Sequence, residues 1–269
     1  MLKSIPLGSR RYLLSRPPTS TSLPLVLMLH GTGGNAQFAA EETGLAEFGN
    51  IHGFITVFPD GLPVDPTQPP RFLTNPQRWN DGATKAGDLL HTANDDVQFL
   101  ADVLDDAVRN HGADPERVFL TGFSNGAGMC FRFASERADL IRAIAPIAGY
   151  CWVKPPAIPV PTLYVIGDAD PLVPWEGGEV RVPWGDRIVV RPRVPDNLRP
   201  WKETNPNFTE AIVPGLGHHW PGGAGRLNPR IGGPPGGEAN ANGLVWEFFQ
   251  TIRAASVSDR SLTLAALIT

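Results

Sequence analysis

The run LPLVLMLH, residues 23–30, is apolar at every position before its closing histidine. A strand with one wet face alternates apolar and polar residues. Unbroken apolarity therefore calls for cover on both faces, the environment of a parallel sheet between two layers of helices. FITVFPDG (54–61), Arg117 to Thr121, AIAPIAG (143–149) and TLYVIGDAD (162–170) repeat the pattern, and EAIVPG (210–215) reads as a last strand. Helical segments stand between them. QFAAEETGLAEFGNIHG (37–53) has helical spacing. In ANDDVQFLADVLDDAVRNHG (93–112), Val97, Leu100, Leu104 and Val108 recur on one face, Asn94 or Asp95 can cap the start, and Gly112 the end. An alanine-rich helix is expected from about Ala127 and a final one over ANGLVWEFFQTIR (241–253). RRYLLS (10–15) is expected as an edge strand, and Asp114 with Pro115 as a turn. Strands and helices in alternation predict an α/β chain: a mostly parallel central sheet with helices on both faces.

No internal repeat or linker divides the chain, and 269 residues suit one large α/β domain. Two proline-rich stretches, 62–90 and 174–209, are expected as loop insertions on it. The first is too long for a plain connection and is expected over a functional face. The formal net charge is −4, without the clustered Lys and Arg that nucleic acid requires. The basic run RPRVPDNLRP (191–200) is broken by prolines and reads as a solvated loop. There is no 18-residue apolar run to span a membrane and no apolar leader segment at the N-terminus. A cytoplasmic chain is expected unless a leader has been removed. Cys130 and Cys151 are expected as buried thiols or as one bridge. No CxxC or HExxH spacing suggests a metal site, and neither a metal nor an organic cofactor is expected.

GFSNG, residues 122–126, follows an apolar strand and opens a helix. That is the context of a nucleophile elbow, a turn so tight that its serine takes strained backbone angles. Ser124 would then sit at a helix N-terminus, where free N–H groups and the helix dipole favour developing negative charge. A serine nucleophile needs a base, and the base an orienting acid. His52, His91 and His111 lie at helix ends or in polar loops, and His30 comes too early in the chain. His218 and His219 lie in GLGHHWPGG, a glycine-rich loop after the last strand. The acid is sought in GDADPLVPW (167–175), where Asp168 and Asp170 both follow a strand. Asp170, just before Pro171, is preferred, since its loop position faces the C-terminal edge of the sheet. The order serine, aspartate, histidine is the hydrolase order. For the oxyanion, the backbone N–H of Asn125 and one from HGTGG (30–34) are expected, with Thr32 first and Gly33 second.

With these pieces placed, the sequence resembles the α/β-hydrolase esterases of the polyhydroxybutyrate depolymerase and feruloyl esterase type, from about Arg11 to Arg253. PLVLMLHGTGG is similar to that family's oxyanion strand and loop, RWNDG (78–82) to its Trp-Asn-x-Gly segment, and NDDVQFLADVLDD to the segment ahead of the elbow. DPERVFLTGFSNGAGM is the most specific match. GDADPLVPWEGG resembles the acid loop, and GLGHHWPGG the Gly-His-x-Trp-Pro-Gly base loop. The resemblance selects His218 over His219 and puts Trp220 on the family's tryptophan. It implies an α/β-hydrolase fold and a Ser124, Asp170, His218 triad acting on esters without a cofactor. The chain departs from the pattern at Thr32, where members often carry Cys, and at ATKAG (83–87), where many carry a Cys pair. It carries Trp175 where relatives have tyrosine, and 176–209 is longer and richer in proline and arginine.

The expected partner is a small-molecule or polymeric ester: short-chain or aryl esters first, with feruloyl esters, acetylated sugars and polyesters compatible. Trp79, Trp175, Trp184 and Trp220 are expected in loops around the catalytic edge, and Trp79, Trp175 and Trp220 are the candidates for substrate contact. A serine peptidase, or a binding protein on the same scaffold, is the alternative.

Overall fold

The computed structural model describes residues 2–19, 22–83, 95–184 and 187–252. His91, Asn94, the end of the 62–90 loop and most of the ATKAG segment lie outside them. The chain begins with an antiparallel pair, β1 (Lys3–Leu7) and β2 (Arg10–Ser15), followed by the buried β3 (Leu23–Leu29). The helical stretch after it is two helices, α1 (Ala36–Thr43) and α2 (Leu45–His52), because Gly44 at φ 62° ends the first and starts the second. Then come β4 (Ile55–Pro59), a two-residue ribbon of β5 (Leu62–Pro63) with β6 (Gln77–Arg78), and α3 (Asp96–His111). The Asp95 side chain caps the α3 start and Gly112, at φ 73°, its end. β7 (Ala113–Phe123) leads into α4 (Asn125–Glu136), β8 (Ala143–Ile147) and β9 (Thr162–Gly167). The proline-rich 174–209 stretch contains a hairpin, β10 (Gly178–Val182) and β11 (Arg187–Arg191), and a helix, α5 (Val194–Glu203). β12 (Phe208–Val213), the short α6 (Pro229–Gly232) and α7 (Ala241–Thr251) follow.

Eight strands form the main sheet in the order β1-β2-β4-β3-β7-β8-β9-β12. β4 through β12 run parallel, and β2 joins β4 antiparallel. β3 shows why its sequence is uniformly apolar. Leu25, Leu27 and Leu29 belong to a core shared with α3, α4 and α5, while Val26 and Met28 belong to a second core shared with α1 and α7. Both faces of the sheet are thus covered, and each residue of the strand leaves water on one side or the other.

Three expectations at the level of elements are corrected. RRYLLS is not the edge of the sheet: KSIPL pairs outside it, from Lys3 opposite Leu14 to Leu7 opposite Arg10. Its burial is partial, so it carries no strong apolar signal. Asp114 and Pro115 do not interrupt the chain but lie within β7, where the pairing to β3 shifts register between Ala113 and Val118. The 174–209 stretch is regular over most of its length; Pro195 falls in the first turn of α5, where a missing N–H costs nothing. Cys130 and Cys151 are both buried free thiols, and burial pushes both pKa values up, that of Cys151 to about 12. No helix among the described residues is long and apolar enough to cross a membrane.

Candidate active site

The residues singled out in the sequence converge at the C-terminal edge of the parallel strands. Ser124 lies between β7 and α4, Thr32 follows β3, Asp170 follows β9, and His218 follows β12. Loops at this edge can approach one another because each strand ends there and each helix begins.

Ser124 has φ 57° and ψ −118°, a conformation that costs roughly 1–3 kcal/mol for a residue with a side chain. Backbone bonds hold it there. Its N–H donates to Ile147 O at 2.9 Å, and its carbonyl accepts from Ala127 N at 3.0 Å and Gly128 N at 3.2 Å. The flanking glycines answer to crowding. A Cβ on Gly122 would collide with the Gly126 carbonyl, and one on Gly126 with the Leu29 carbonyl. The motif therefore encodes close approach of β7, α4 and β3.

His218 and Asp170 form a buried pair, with Nδ1 of the imidazole 2.7 Å from Asp170 Oδ2. The other carboxylate oxygen, Oδ1, accepts the Leu172 and Val173 N–H groups, both at 2.8 Å. Three acceptor contacts fix the carboxylate, and the carboxylate fixes the ring with Nδ1–H as donor and Nε2 free for chemistry. Phe123 packs against the imidazole, ring centroids 4.6 Å apart. Asp168 does something else: its Oδ1 accepts the Gly215 N–H at 2.6 Å, closing a turn. His219 directs Nε2 to the Gly233 carbonyl at 3.1 Å. Geometry thus separates both pairs of neighbours that the sequence left adjacent.

In the HGTGG loop the Gly33 N–H donates to Gln77 O at 2.8 Å and the Gly34 N–H to Gly31 O at 3.0 Å. Those two amides are committed, whereas Thr32 lines the cavities beside Ser124. Beneath the loop His30 is buried and bridges two backbones: Nδ1–H donates to Gly31 O at 2.8 Å, and Nε2 accepts the Gly61 N–H at 2.9 Å. Burial lowers its pKa, which keeps the ring neutral and this tautomer in place.

Trp79, a candidate for substrate contact, is packed beneath the site and borders neither of the two cavities beside Ser124. Its side chain is fully buried, and Nε1–H donates to His30 O at 2.9 Å. Its backbone N–H donates to Asn125 Oδ1 at 2.7 Å, and Asn125 Nδ2 returns a bond to Trp79 O at 3.1 Å. The indole of Trp79 is a post under the HGTGG loop, and its backbone clasps the residue after Ser124. Arg10 supports the same segment. It pairs with the buried Asp96 at 2.6 Å, and Asp96 accepts the Asn80 N–H at 2.7 Å. Trp175 is half-buried against the core under α5, and Val194 N–H donates to its carbonyl at 2.9 Å. Trp220 is buried, donates to Asn242 Oδ1 at 3.1 Å and borders the smaller of two cavities.

Ser124 lies between those cavities. The smaller, about 90 Å³, is bordered by His218, Trp220, Phe38, Phe72 and Thr32. The larger, about 760 Å³, runs from Ser124 and Asn125 under the β10–β11 hairpin. Its walls include Tyr150, Trp152, Trp184, Arg187 and Arg191, and the sequence reading missed four of these as site residues. The signal was present in RIVVR (187–191), an alternation that places Arg187, Val189 and Arg191 on one face of a strand. It was hidden by the prolines around it.

Residues 10–153 match the family model described as Esterase PHB depolymerase. Among curated proteins, the putative esterase NocK of Nocardia uniformis subsp. tsuyamanensis is 30% identical over 177 residues, covering 63% of this chain and 47% of NocK. Feruloyl esterase B of Piromyces equi is 30% identical over 192 residues, covering 68% of this chain and 32% of that protein. The chain thus spans half or less of the length of the curated relatives it matches. Among solved structures, native pOPH superposes with a TM-score of 0.62 at 16% identity, over 95% of this chain and 90% of that one. The fold is that of the α/β-hydrolases, as the sheet order and the helices on both faces also indicate.

Proposed function

The chain belongs to the esterase family of PHB depolymerases, and from that premise we propose that it hydrolyses carboxylic esters through Ser124, His218 and Asp170. The observation that carries this reading is the positive-φ Ser124 at the start of α4, sharing a cavity with a histidine whose Nδ1 is held by a buried carboxylate. His218 Nε2 takes the proton as Ser124 Oγ attacks the ester carbonyl. Asp170 stabilises the imidazolium. The N–H groups of Asn125 and Thr32 receive the oxyanion; one such donor is commonly worth about 10²–10³ in turnover. The alcohol leaves with the proton from His218, and water repeats the cycle on the acyl-enzyme.

Relatives named feruloyl esterase, acetylxylan esterase and poly(3-hydroxyalkanoate) depolymerase support an ester substrate of the short-chain, aryl or polyester kind. The test is hydrolysis of p-nitrophenyl acetate through octanoate by the wild type and by Ser124→Ala. Turnover by the wild type with at least a ~10³-fold loss in the variant is the expected result. Equal rates in the two proteins would remove Ser124 from the chemistry.

A further inference from the structure

The larger cavity holds a charge that the hydrolytic reaction does not use. Arg191, at the end of β11, is half-buried in its wall. Among the described residues no carboxylate pairs with it, and its guanidinium lies 5.6 Å from the centre of the Tyr150 ring. Among the described residues its buried Nε has no hydrogen-bond partner, and neither do the buried Tyr150 Oη and Trp184 Nε1. All three are donors, and all three residues line this cavity. Such groups are costly to bury unless an acceptor meets them. Among the described residues, the other charged groups lining the space are Arg78, Arg187 and Asp81. Asp81 Oδ1 accepts the Ala83 N–H at 3.2 Å.

The two cavities also divide the ester. His218 borders the smaller cavity, whereas Asn125 borders the larger. The histidine must hand its proton to the departing alcohol, so the alcohol lies on the small side. A space of about 90 Å³ suits a short alkyl group, and about 760 Å³ suits a bulky acyl group.

Resting on the esterase reading above, we propose that the larger cavity selects acyl groups that carry a second, ionised carboxylate beyond an apolar or aromatic spacer, with Arg191 as the residue that recognises it. A carboxylate beside Arg191 supplies the counter-ion that the guanidinium lacks among the described residues. Tyr150, Trp152 and Trp184 offer faces for the spacer. The reaction is ordinary hydrolysis. Water oxygen forms the new acyl bond, the alkoxy group leaves with a proton, and the second carboxylate is unchanged.

The test compares methyl 3-(4-carboxyphenyl)propanoate with its near-isostere, methyl 3-(4-carbamoylphenyl)propanoate. Two methylenes insulate the ester from the ring substituent, so intrinsic reactivity is matched. Wild type is expected to favour the carboxylate in kcat/KM by roughly tenfold to a hundredfold, the scale of a hydrogen bond to a charged group. In Arg191→Gln that ratio is expected to collapse towards one, and in wild type it should shrink with added salt. Equal kcat/KM values in wild type, or a preference that survives Arg191→Gln, would overturn the proposal. If p-nitrophenyl acetate is hydrolysed throughout, the esterase reading stands while this one falls. If no ester is turned over, calorimetry of 3-(4-carboxyphenyl)propanoate binding to Ser124→Ala, with and without Arg191→Gln, still decides. Binding lost with Arg191 supports the proposal, and no binding, or binding indifferent to Arg191, rejects it.

Discussion

Around Ser124 nearly every polar group has a partner. The Asp170 carboxylate takes three contacts, both His30 nitrogens are engaged, and Asn125 and Trp79 exchange two bonds. Across the cavity, the β10–β11 hairpin has the opposite character. Its inner face holds Arg191, with no counter-ion among the described residues, and its outer face exposes Ile188 and Val190 at 59% and 78%. The hydrogen bonds of the floor are made within the protein. The roof keeps a guanidinium whose counter-ion a ligand can supply. Preorganisation belongs where charge develops in the transition state, and unspent binding capacity where substrate is chosen.

Four substitutions probe that contrast, in falling order of effect. Asp170→Asn leaves two neighbouring N–H groups and the imidazole without their carboxylate, and should lower kcat by about 10⁴-fold. Steady-state kinetics on p-nitrophenyl acetate measure it; a loss below tenfold would mean that the floor tolerates disorder. Gly126→Ala forces β3 and α4 apart and should destabilise the fold by about 1–3 kcal/mol in urea titrations. An unchanged midpoint would refute the crowding argument. His30 gives the third. Its folded pKa is lowered, so the unfolded chain binds the proton first. Stability is then complete above the ordinary histidine pKa of about 6.5 and declines as pH falls below it, by at most about 1.4 kcal/mol per pH unit. The slope should flatten in His30→Gln, and an identical slope would place the titrating group elsewhere. Ile188→Thr, on the outer face of the roof, should change stability by less than about 0.5 kcal/mol. A larger change would show that this face is packed against something.

The same division separates what the sequence disclosed from what it hid. LPLVLML announced a doubly covered strand because both of its faces are apolar, and GFSNG announced an elbow because only glycine fits where three backbones meet. His218 was harder to tell from His219, since adjacent residues differ only in which way the loop turns them. The fate of Trp79 could not be read from its loop position. Its burial depends on His30 and Asn125, 49 and 46 residues away in sequence. The roof was hidden because prolines on either side of RIVVR mask a period-two pattern of only five residues. KSIPL was missed for a related reason: an outer edge strand is paired on one side only and buries little.

The claim on which the rest depends is that the strained Ser124 is the nucleophile. Diethyl p-nitrophenyl phosphate tests it directly, because its phosphoryl group stays on the oxygen that attacks it while p-nitrophenol leaves. Intact-mass spectrometry of the treated protein should show one diethylphosphoryl adduct, mapping to the peptide that contains Ser124 and absent from Ser124→Ala. An adduct on another residue, or the same adduct on the variant, would contradict the account.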